Sequence, residues 1–306
     1  MHSCSIIDDV ACFIFKTWRH LLWPGDVTRI RENAQRWATI ISTKVGIEGE
    51  PAPVFGFMDG TKRETCKPGG AFPNQQAVWD GHHNMPALGY LGVNSPDGIF
   101  ILFYGPFVGW VNDHSMLMTS RLHELMDEGV FGEGLCVYGD QGFYIGPGIW
   151  TGYSGAAPGS AEDQFNHKWN GQRTSVEWGF GKVANTFRTH DFTPLQKPNL
   201  SRIGVWYLVS VLLTNCQVCL YGSQAAGHFQ CPPPTLEEYL RAEWHEDPAF
   251  AEVYDRYRPC MYPFRLKEEK LTRWNTGKWE WELMQRYGRE EMDPTEVDEV
   301  KDEEGD

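Results

Sequence analysis

The alternation of apolar and polar stretches along the chain predicts four strands. Apolar runs at residues 54–58, 87–93 and 99–104 are typical of buried strands, and the turn sequence at residues 94–98 predicts a hairpin between the last two. A fourth apolar run lies at residues 135–138 and stops at Gly139-Asp140. The first three runs are therefore expected to form consecutive antiparallel strands, with the fourth added after an intervening helix.

Helical periodicity dominates the remaining segments. An apolar stretch from residue 6 to 22 breaks at Pro24-Gly25 and is followed by an amphipathic pattern. The predicted helices lie at residues 6–22, 26–45, 116–129, around Arg173 to Ala184, at 205–220 and at 236–289. A polar loop rich in Gly and Pro is predicted at residues 146–163. From residue 54 onward the predicted order is strand, strand, strand, helix, strand, helix, helix. This order is typical of an α+β fold with a mixed sheet flanked by helices.

The same pattern divides the chain into four segments. We expect a short helical N-terminal segment at residues 1–50, a core domain at 51–235, a helical C-terminal extension at 236–290 and an acidic, disordered tail at 291–306. The 306-residue chain is long enough to bury a substantial core.

Charge is distributed unevenly along the chain. The net charge is −14, and residues 291–306 hold nine acids against Lys301, a local −8 that leaves −6 for the rest. Proteins that bind nucleic acid usually carry a basic excess. Any DNA contact must therefore depend on a local patch, a metal ion or a partner protein.

Cysteine usage and hydropathy bear on the compartment. The eight cysteines are spread over a long chain, which favours reduced thiols in the cytosol or nucleus. Asp8 and Asp9 interrupt the first apolar stretch, so it does not resemble a secretory signal peptide. The apolar segment at residues 205–220 contains Thr214 and Asn215, and a buried core helix is a better interpretation than a membrane span.

Three carboxylates stand where this topology would bring them together. Asp59 ends the first apolar run, Asp140 ends the fourth, and Glu177 lies on the helix that follows. A cluster of oxygen ligands favours Mg²⁺ or Mn²⁺ over zinc, and two such ions about 4 Å apart can promote phosphodiester displacement. The alternative for each residue is ordinary: an Asp before Gly is often a turn former, and a helical Glu is often solvated.

A series of short motifs resembles a known family over about residues 50–240. The motifs, in chain order, are Phe57-Met58-Asp59-Gly60-Thr61, Asn74-Gln75-Gln76 with Asp80-Gly81-His82, Gly105-Pro106 running to Gly109, Asp113-His114-Ser115, Gly139-Asp140-Gln141-Gly142-Phe143, Phe165-Asn166, Arg173-Thr174-Ser175-Val176-Glu177-Trp178-Gly179-Phe180-Gly181 and Leu213-Thr214-Asn215-Cys216. Together they resemble the DDE-superfamily endonuclease domain of Harbinger-type transposases.

This resemblance implies an RNase H-like fold and metal-dependent cleavage and strand transfer of DNA. Asp59, Asp140 and Glu177 match the catalytic triad, with 36 residues between the last two (177 − 140 − 1). Asp113 matches the family's extra acid, which is either a metal ligand or a group that contacts the ligands; it is included as a further ligand for two Mg²⁺ or Mn²⁺ ions. In this scheme Asp59 bridges both ions, Asp140 holds one and Glu177 holds the other.

Several other polar residues support this site or compete with it. Arg173 is one helical turn before Glu177 and could orient it or clamp a phosphate, unless the two form an ordinary ion pair. The histidines His82, His83 and His114 lie near the family motifs and could approach DNA or the metal pocket, or be surface side chains. A zinc site could use Cys216, Cys219, His228 and Cys231, although cysteines within an apolar helix are more typical of small hydrophobes.

The chain departs from the family in its N-terminal region. Only about 50 residues precede the first predicted strand, which is short for the helix-turn-helix-like region of a full-length transposase. The resemblance therefore implies a separate Myb-like DNA-binding partner and nuclear localisation, and the acidic tail could dock on such a basic partner or simply be solvated. The alternative function is a catalytically silent, transposase-derived factor that binds DNA or protein.

Overall fold

The computed structural model describes residues 2–47, 52–68, 75, 78–197, 202–240 and 248–257. The predicted acidic tail at 291–306 and most of the predicted extension at 236–290 lie outside the described residues. The boundaries expected at residues 50, 235 and 290 remain predictions.

A mixed sheet occupies the centre of the described chain. Its strands are β1 (Val54–Glu64), β2 (Trp79–Asp80), β3 (Met85–Asn94), β4 (Phe100–Val108), β5 (Cys136–Gly139) and β6 (Ile149–Thr151). Strand β1 is central, because β3 pairs with one edge antiparallel and β5 pairs with the other in parallel. Strand β6 extends the parallel side, and both β4 and the short β2 pair antiparallel with β3. The carboxyl end of β5 lies beside the middle of its parallel neighbour β1, because their last paired residues are Tyr138 and Phe57.

Helices flank this sheet, as the sequence predicts. They are α1 (His2–Trp18), α2 (Val27–Val45), α3 (Asp113–Ser120), α4 (Leu122–Asp127), α5 (Ala161–Thr186), α6 (Ile203–Tyr221), α7 (Gln224–Phe229), α8 (Leu236–Tyr239) and α9 (Pro248–Tyr257). Side-chain caps define the starts of five of them; at the two longest of these, Asp26 accepts from the backbone of Arg29 and Ser160 accepts from that of Asp163. Helices α2 and α5 pack on β1, α6 packs on β4, and α1 packs on α6. The α+β architecture is confirmed, and it is consistent with the expected RNase H-like fold.

Three details differ from the predicted elements. Strand β1 does not end at Asp59-Gly60 but continues to Glu64, because its ladder with β3 runs on to the pair Glu64↔Ala87. The helical stripe at 116–129 is two helices, separated where Arg121 adopts a left-handed backbone with φ of 58°. Strand β6 lies within the predicted loop at 146–163, where it pairs with β5.

Helix α6 is long and apolar enough to cross a membrane by length and composition alone. Within its apolar window, 67% of the residues are buried inside the protein. Its buried residues contribute to the same hydrophobic core as those of β4 and α1. This burial supports the interpretation of α6 as a core helix.

Asn215 joins α6 to the start of β4 through a fully buried amide. Its Oδ1 accepts from the backbone nitrogen of Phe100 at 3.0 Å, and its Nδ2 donates to the Phe100 carbonyl at 3.0 Å. The same Nδ2 donates to the hydroxyl of Tyr239 at 2.9 Å, which brings in α8. One side chain thus satisfies the polar groups of three elements.

Replacing Asn215 with Leu should lower the free energy of unfolding by about 2–4 kcal/mol, because buried polar groups of Phe100 and Tyr239 lose their partner. Urea unfolding would measure the loss. Gln217→Leu is the matched control on the same helix: its side chain is only half-buried, so the change should stay within about 0.5 kcal/mol. Equal losses in both variants would contradict the role given to Asn215.

A buried histidine couples the fold to pH. The Nε2 atom of His190 lies 2.7 Å from Ser210 Oγ, and Ser210 donates its own proton to the carbonyl of Trp206. His190 therefore donates to Ser210 in this arrangement. Burial, together with the nearby charge of Arg63, lowers the pKa of His190 from 6.5 to about 4.

Acid should therefore destabilise the protein through His190. The unfolded chain binds a proton near pH 6.5 but the folded chain only near pH 4, so this contribution to stability is complete above pH 6.5 and falls as pH decreases towards 4. The total change is about 3 kcal/mol. Unfolding measured at several pH values should show a shallower pH dependence for His190→Gln. A slope as steep in His190→Gln as in the wild type would contradict this account.

Candidate active site

Strands β1 and β5 place two aspartates side by side. Phe57 of β1 is paired with Tyr138 of β5 in the parallel ladder, and two residues further along each chain come Asp59 and Asp140. Asp59 lies within β1 at the point where pairing with β5 ends but pairing with β3 continues, opposite Gly92. Asp140 follows β5 directly and is exposed. The register of the sheet therefore produces the juxtaposition that the sequence predicts.

Because Gly60 has no side chain, the carboxylate of Asp113 can lie close to this pair. Asp113 is the first residue of α3, whose N-terminus is capped by Asn112. Its carboxylate lies against the backbone of Gly60, and a Cβ atom built at that glycine would clash with Asp113 Oδ1 and approach the methyl group of Met116. The Asp-Gly sequence is thus required for close approach, and it does not end the strand.

Arg173 of α5 bridges Asp59 to Glu177. Its Nη1 lies 3.0 Å from Asp59 Oδ2, and its Nη2 lies 3.2 Å from Glu177 Oε1. The Arg173 and Asp59 side chains are 15% and 17% exposed, whereas Glu177 is 50% exposed. The ion pair with Glu177 is the i,i+4 pair that the helical spacing suggests. The bond to Asp59 adds a tertiary contact, which ties α5 to the centre of the sheet.

Burial and mutual repulsion change the acidity of these carboxyl groups. Burial raises the pKa of Asp59 from 3.8 to about 6, with Arg173 opposing this shift and Asp113 and Glu177 adding to it. The pKa of Asp113 is also raised, first by burial and then by Asp140, while Lys62 opposes the shift. The carboxylates therefore act on one another electrostatically as one cluster.

Lys62 supports this cluster, although no pattern in the sequence points to it. Its Nζ atom donates to the carbonyls of Gly109 at 2.8 Å and Val111 at 2.5 Å, in the loop that leads to Asp113. Burial lowers the pKa of Lys62, and the charges of Asp80 and Asp113 oppose that shift. Lys62 thus fixes the loop before α3 while placing a positive charge near Asp113.

The three histidines named from the sequence lie at the edge of this region. His83 Nδ1 lies 2.6 Å from Oδ2 of the buried Asp80, whose Oδ1 accepts from the backbone of His82 at 3.0 Å. Burial alone would raise the pKa of Asp80, but these hydrogen bonds outweigh it and lower the pKa. His114 is exposed, and its ring lies 6.2 Å from that of Tyr144 in the loop that follows Asp140.

A comparison with models of known protein families identifies the group to which the chain is related. The model described as DDE superfamily endonuclease matches residues 58–215, just over half of the chain. The chain belongs to the DDE superfamily endonucleases. No curated protein matches the chain, and no solved structure does. The matched span begins one residue before Asp59 and includes Asp113, Asp140 and Glu177.

DDE endonucleases generally use divalent metal ions, and the ligands available here suit such ions. Asp59, Asp113, Asp140 and Glu177 supply only carboxylate oxygens, which are the preferred ligands of Mg²⁺ and Mn²⁺. Burial, with a smaller contribution from neighbouring carboxylates, raises the pKa values of Asp59 and Asp113, and a bound cation would oppose both effects. Within the described ranges no three His, Cys, Asp or Glu side chains already form a ligand set, and the Arg173 guanidinium pairs with Asp59 instead.

The alternative zinc ligands have other contacts. His228 Nε2 lies 2.7 Å from Gln172 Oε1, and Cys231 Sγ accepts from Arg36 at 3.5 Å. Cys216 and Cys219 are half-buried on α6 with free thiols. Among residues that the structure describes, these four do not form a metal-binding group.

Removing a positive neighbour and removing a negative neighbour should shift the pKa of Asp59 in opposite directions. Arg173→Gln removes a positive charge and should raise the pKa of Asp59 above its value of about 6, whereas Asp113→Asn removes a negative charge and should lower it. Carboxyl ¹³C chemical shifts followed against pH in metal-free buffer would measure both. Arg121→Gln, which removes a charge paired with Glu124 instead, is the control and should leave the Asp59 titration in place. Shifts of the same sign in the two site variants would contradict this account.

Proposed function

We propose that this chain is a metal-dependent endonuclease and transposase of the Harbinger type, which cleaves DNA phosphodiester bonds and joins the freed 3′ end to another strand. One observation carries the proposal. Four carboxylates at the family's motif positions interact where the ladder between β1 and β5 ends, held by a parallel register and a glycine. Partly buried carboxylates with raised pKa values, such as Asp59 and Asp113, are typical of functional sites.

The ligands would be the same carboxylates. Asp59, Asp140 and Glu177 would form the catalytic triad that holds two Mg²⁺ or Mn²⁺ ions, with Asp113 as a further ligand. When bound, such ions supply an activated water and stabilise the oxygen that leaves phosphorus.

The protein's own contribution is to position these ligands and to bind DNA beside them. Arg173 holds the exposed Glu177 side chain near Asp59, and its guanidinium can alternatively pair with a phosphate oxygen. Lys62 fixes the loop that carries Asp113, and the exposed His114 lies next to Asp140's loop, where it could contact the DNA backbone. Asp59 is only 17% exposed, so it has little contact with water, and this strengthens its interaction with any nearby charge.

The acidic charge of the chain supports an additional DNA-binding partner. A net charge of −14 gives little general attraction to a phosphate backbone. We therefore propose that a Myb-like DNA-binding protein brings the endonuclease to its target, and that the two act in the nucleus.

A second candidate function is a catalytically silent factor that binds DNA or protein. The observation in its favour is that Arg173 already pairs with both Asp59 and Glu177, which offsets part of the cluster's charge without a metal ion. Metal binding and cleavage distinguish the two functions.

The test is a titration of Mn²⁺ into the full-length protein, followed by thermal unfolding and by nicking of supercoiled DNA. At a concentration about 100 times the dissociation constant, Mn²⁺ should stabilise the wild type by about 2.7 kcal/mol. Asp59→Asn/Glu177→Gln should abolish this stabilisation and reduce nicking more than about a hundredfold, since even the neighbours of metal ligands cost up to that much.

Asp127→Asn/Glu133→Gln makes the same change of charge at exposed positions and should behave as the wild type. Nicking that survives in Asp59→Asn/Glu177→Gln would show that the site is assigned wrongly. A folded wild type with neither stabilisation nor nicking would favour the silent factor.

A further inference from the structure

A polar groove leads away from Glu177 along the second half of α5. It has a volume of about 550 Å³ and lies between α5, α6 and the start of α7. Glu177 stands at its wall, so the groove is continuous with the candidate active site. This volume falls within the range of sites that hold ligands of nucleotide or drug size.

One face of α5 supplies an aromatic ring, a cation and an amide to this groove. Trp178, Lys182 and Asn185 all line it, and their spacing of four and three residues places them on one stripe of the helix. In the described part of the chain the Lys182 ammonium group has neither an ion pair nor a hydrogen bond. Its charge is therefore available to a ligand.

The walls of the groove are held in place by packing. The Trp178 ring meets the His228 ring edge to face at 5.3 Å, and His228 is in turn fixed 2.7 Å from Gln172. On the opposite wall, the hairpin at Gly98 packs so closely that a Cβ atom there would clash with Ser223 Oγ. Gln224 follows Ser223 and lines the same wall. The groove thus presents hydroxyl and amide groups opposite a fixed aromatic ring.

This combination suits an unpaired DNA strand better than a duplex. A duplex presents mainly phosphates and sugars to a groove, with one charge for about every 1.7 Å, and it requires several cations. Here the described lining contains one lysine, with an acidic residue at its end. Proteins that bind single strands instead combine a cation for the backbone with aromatic side chains on which bases stack.

We propose that this groove binds unpaired nucleotides next to the phosphate that is cleaved, with a base against Trp178 and a backbone phosphate at Lys182. The choice of DNA as the ligand rests on the proposed endonuclease function. The side chains that line the groove are independent of that proposal. Asn185, Ser223 and Gln224 supply hydrogen-bonding groups for base edges.

The experiment measures binding of a short fluorescein-labelled oligothymidine to the full-length protein by fluorescence anisotropy, in EDTA and at several salt concentrations. Lys182→Ala should weaken binding about fivefold or more and reduce the slope of log K against log salt by about 0.7, the value for one phosphate contact on a single strand. Lys168→Ala removes the same charge from an exposed position on the same helix and should leave the slope unchanged.

A second pair of variants tests base stacking. Trp178→Leu should weaken oligothymidine binding about fivefold or more, whereas Trp150→Leu, which changes a partly exposed tryptophan on β6, should not.

Equal effects of Lys182→Ala and Lys168→Ala on oligothymidine binding would overturn the proposal. So would a loss of affinity in Lys182→Ala that is seen only with duplex DNA.

Cleavage plays no part in this measurement, so the two proposals can fail separately. If Mn²⁺-dependent nicking is observed but Lys182→Ala binds oligothymidine normally, the groove is wrong and the endonuclease stands. If nicking is absent but Lys182→Ala and Trp178→Leu lose binding, the groove is established without the endonuclease.

Discussion

The double contact of Arg173 with Asp59 and Glu177 is the interaction on which the site depends. Carboxylates near the middle of a sheet lose hydration, and an uncompensated charge of this kind costs several kcal/mol. Arg173 offsets this cost for Asp59 because α5 crosses the sheet at the level where β1 separates from β5. The position of the helix, the register of the parallel strands and the protonation of the carboxylates are consequently linked.

Most of the fold follows from local sequence patterns, and the differences have identifiable causes. Long apolar runs identified β3, β4 and β5, because buried strands need them. The second half of β1 is polar, and only its tertiary pairing with β3 keeps it extended. The break between the two helices at Arg121 contains neither Gly nor Pro, so the sequence does not indicate it. Strand β6 is only three residues long, too short to show a strand pattern.

The candidate site was predictable to the extent that it depends on chain position. Asp59 and Asp140 follow apolar runs, and Glu177 and Arg173 are one helical turn apart, so strand ends and helical spacing suffice to select them. Lys62 was missed because its partners are backbone carbonyls of a loop 47 and 49 residues away, which approach it only in the folded chain. The pairing of Asp80 with His83 joins a buried strand residue to a turn, which periodicity alone does not indicate.

Gly60 determines whether the Asp113 carboxylate can lie against β1. Any side chain at this position would push the Asp113 carboxylate away from β1, although Gly60 itself has no ionisable or nucleophilic atom. A related chain with every acidic residue intact would therefore lose this cluster through a single change at this glycine. An inventory of carboxylates is for this reason an incomplete guide to whether the cluster is present, and the residue beside Asp59 carries equal information.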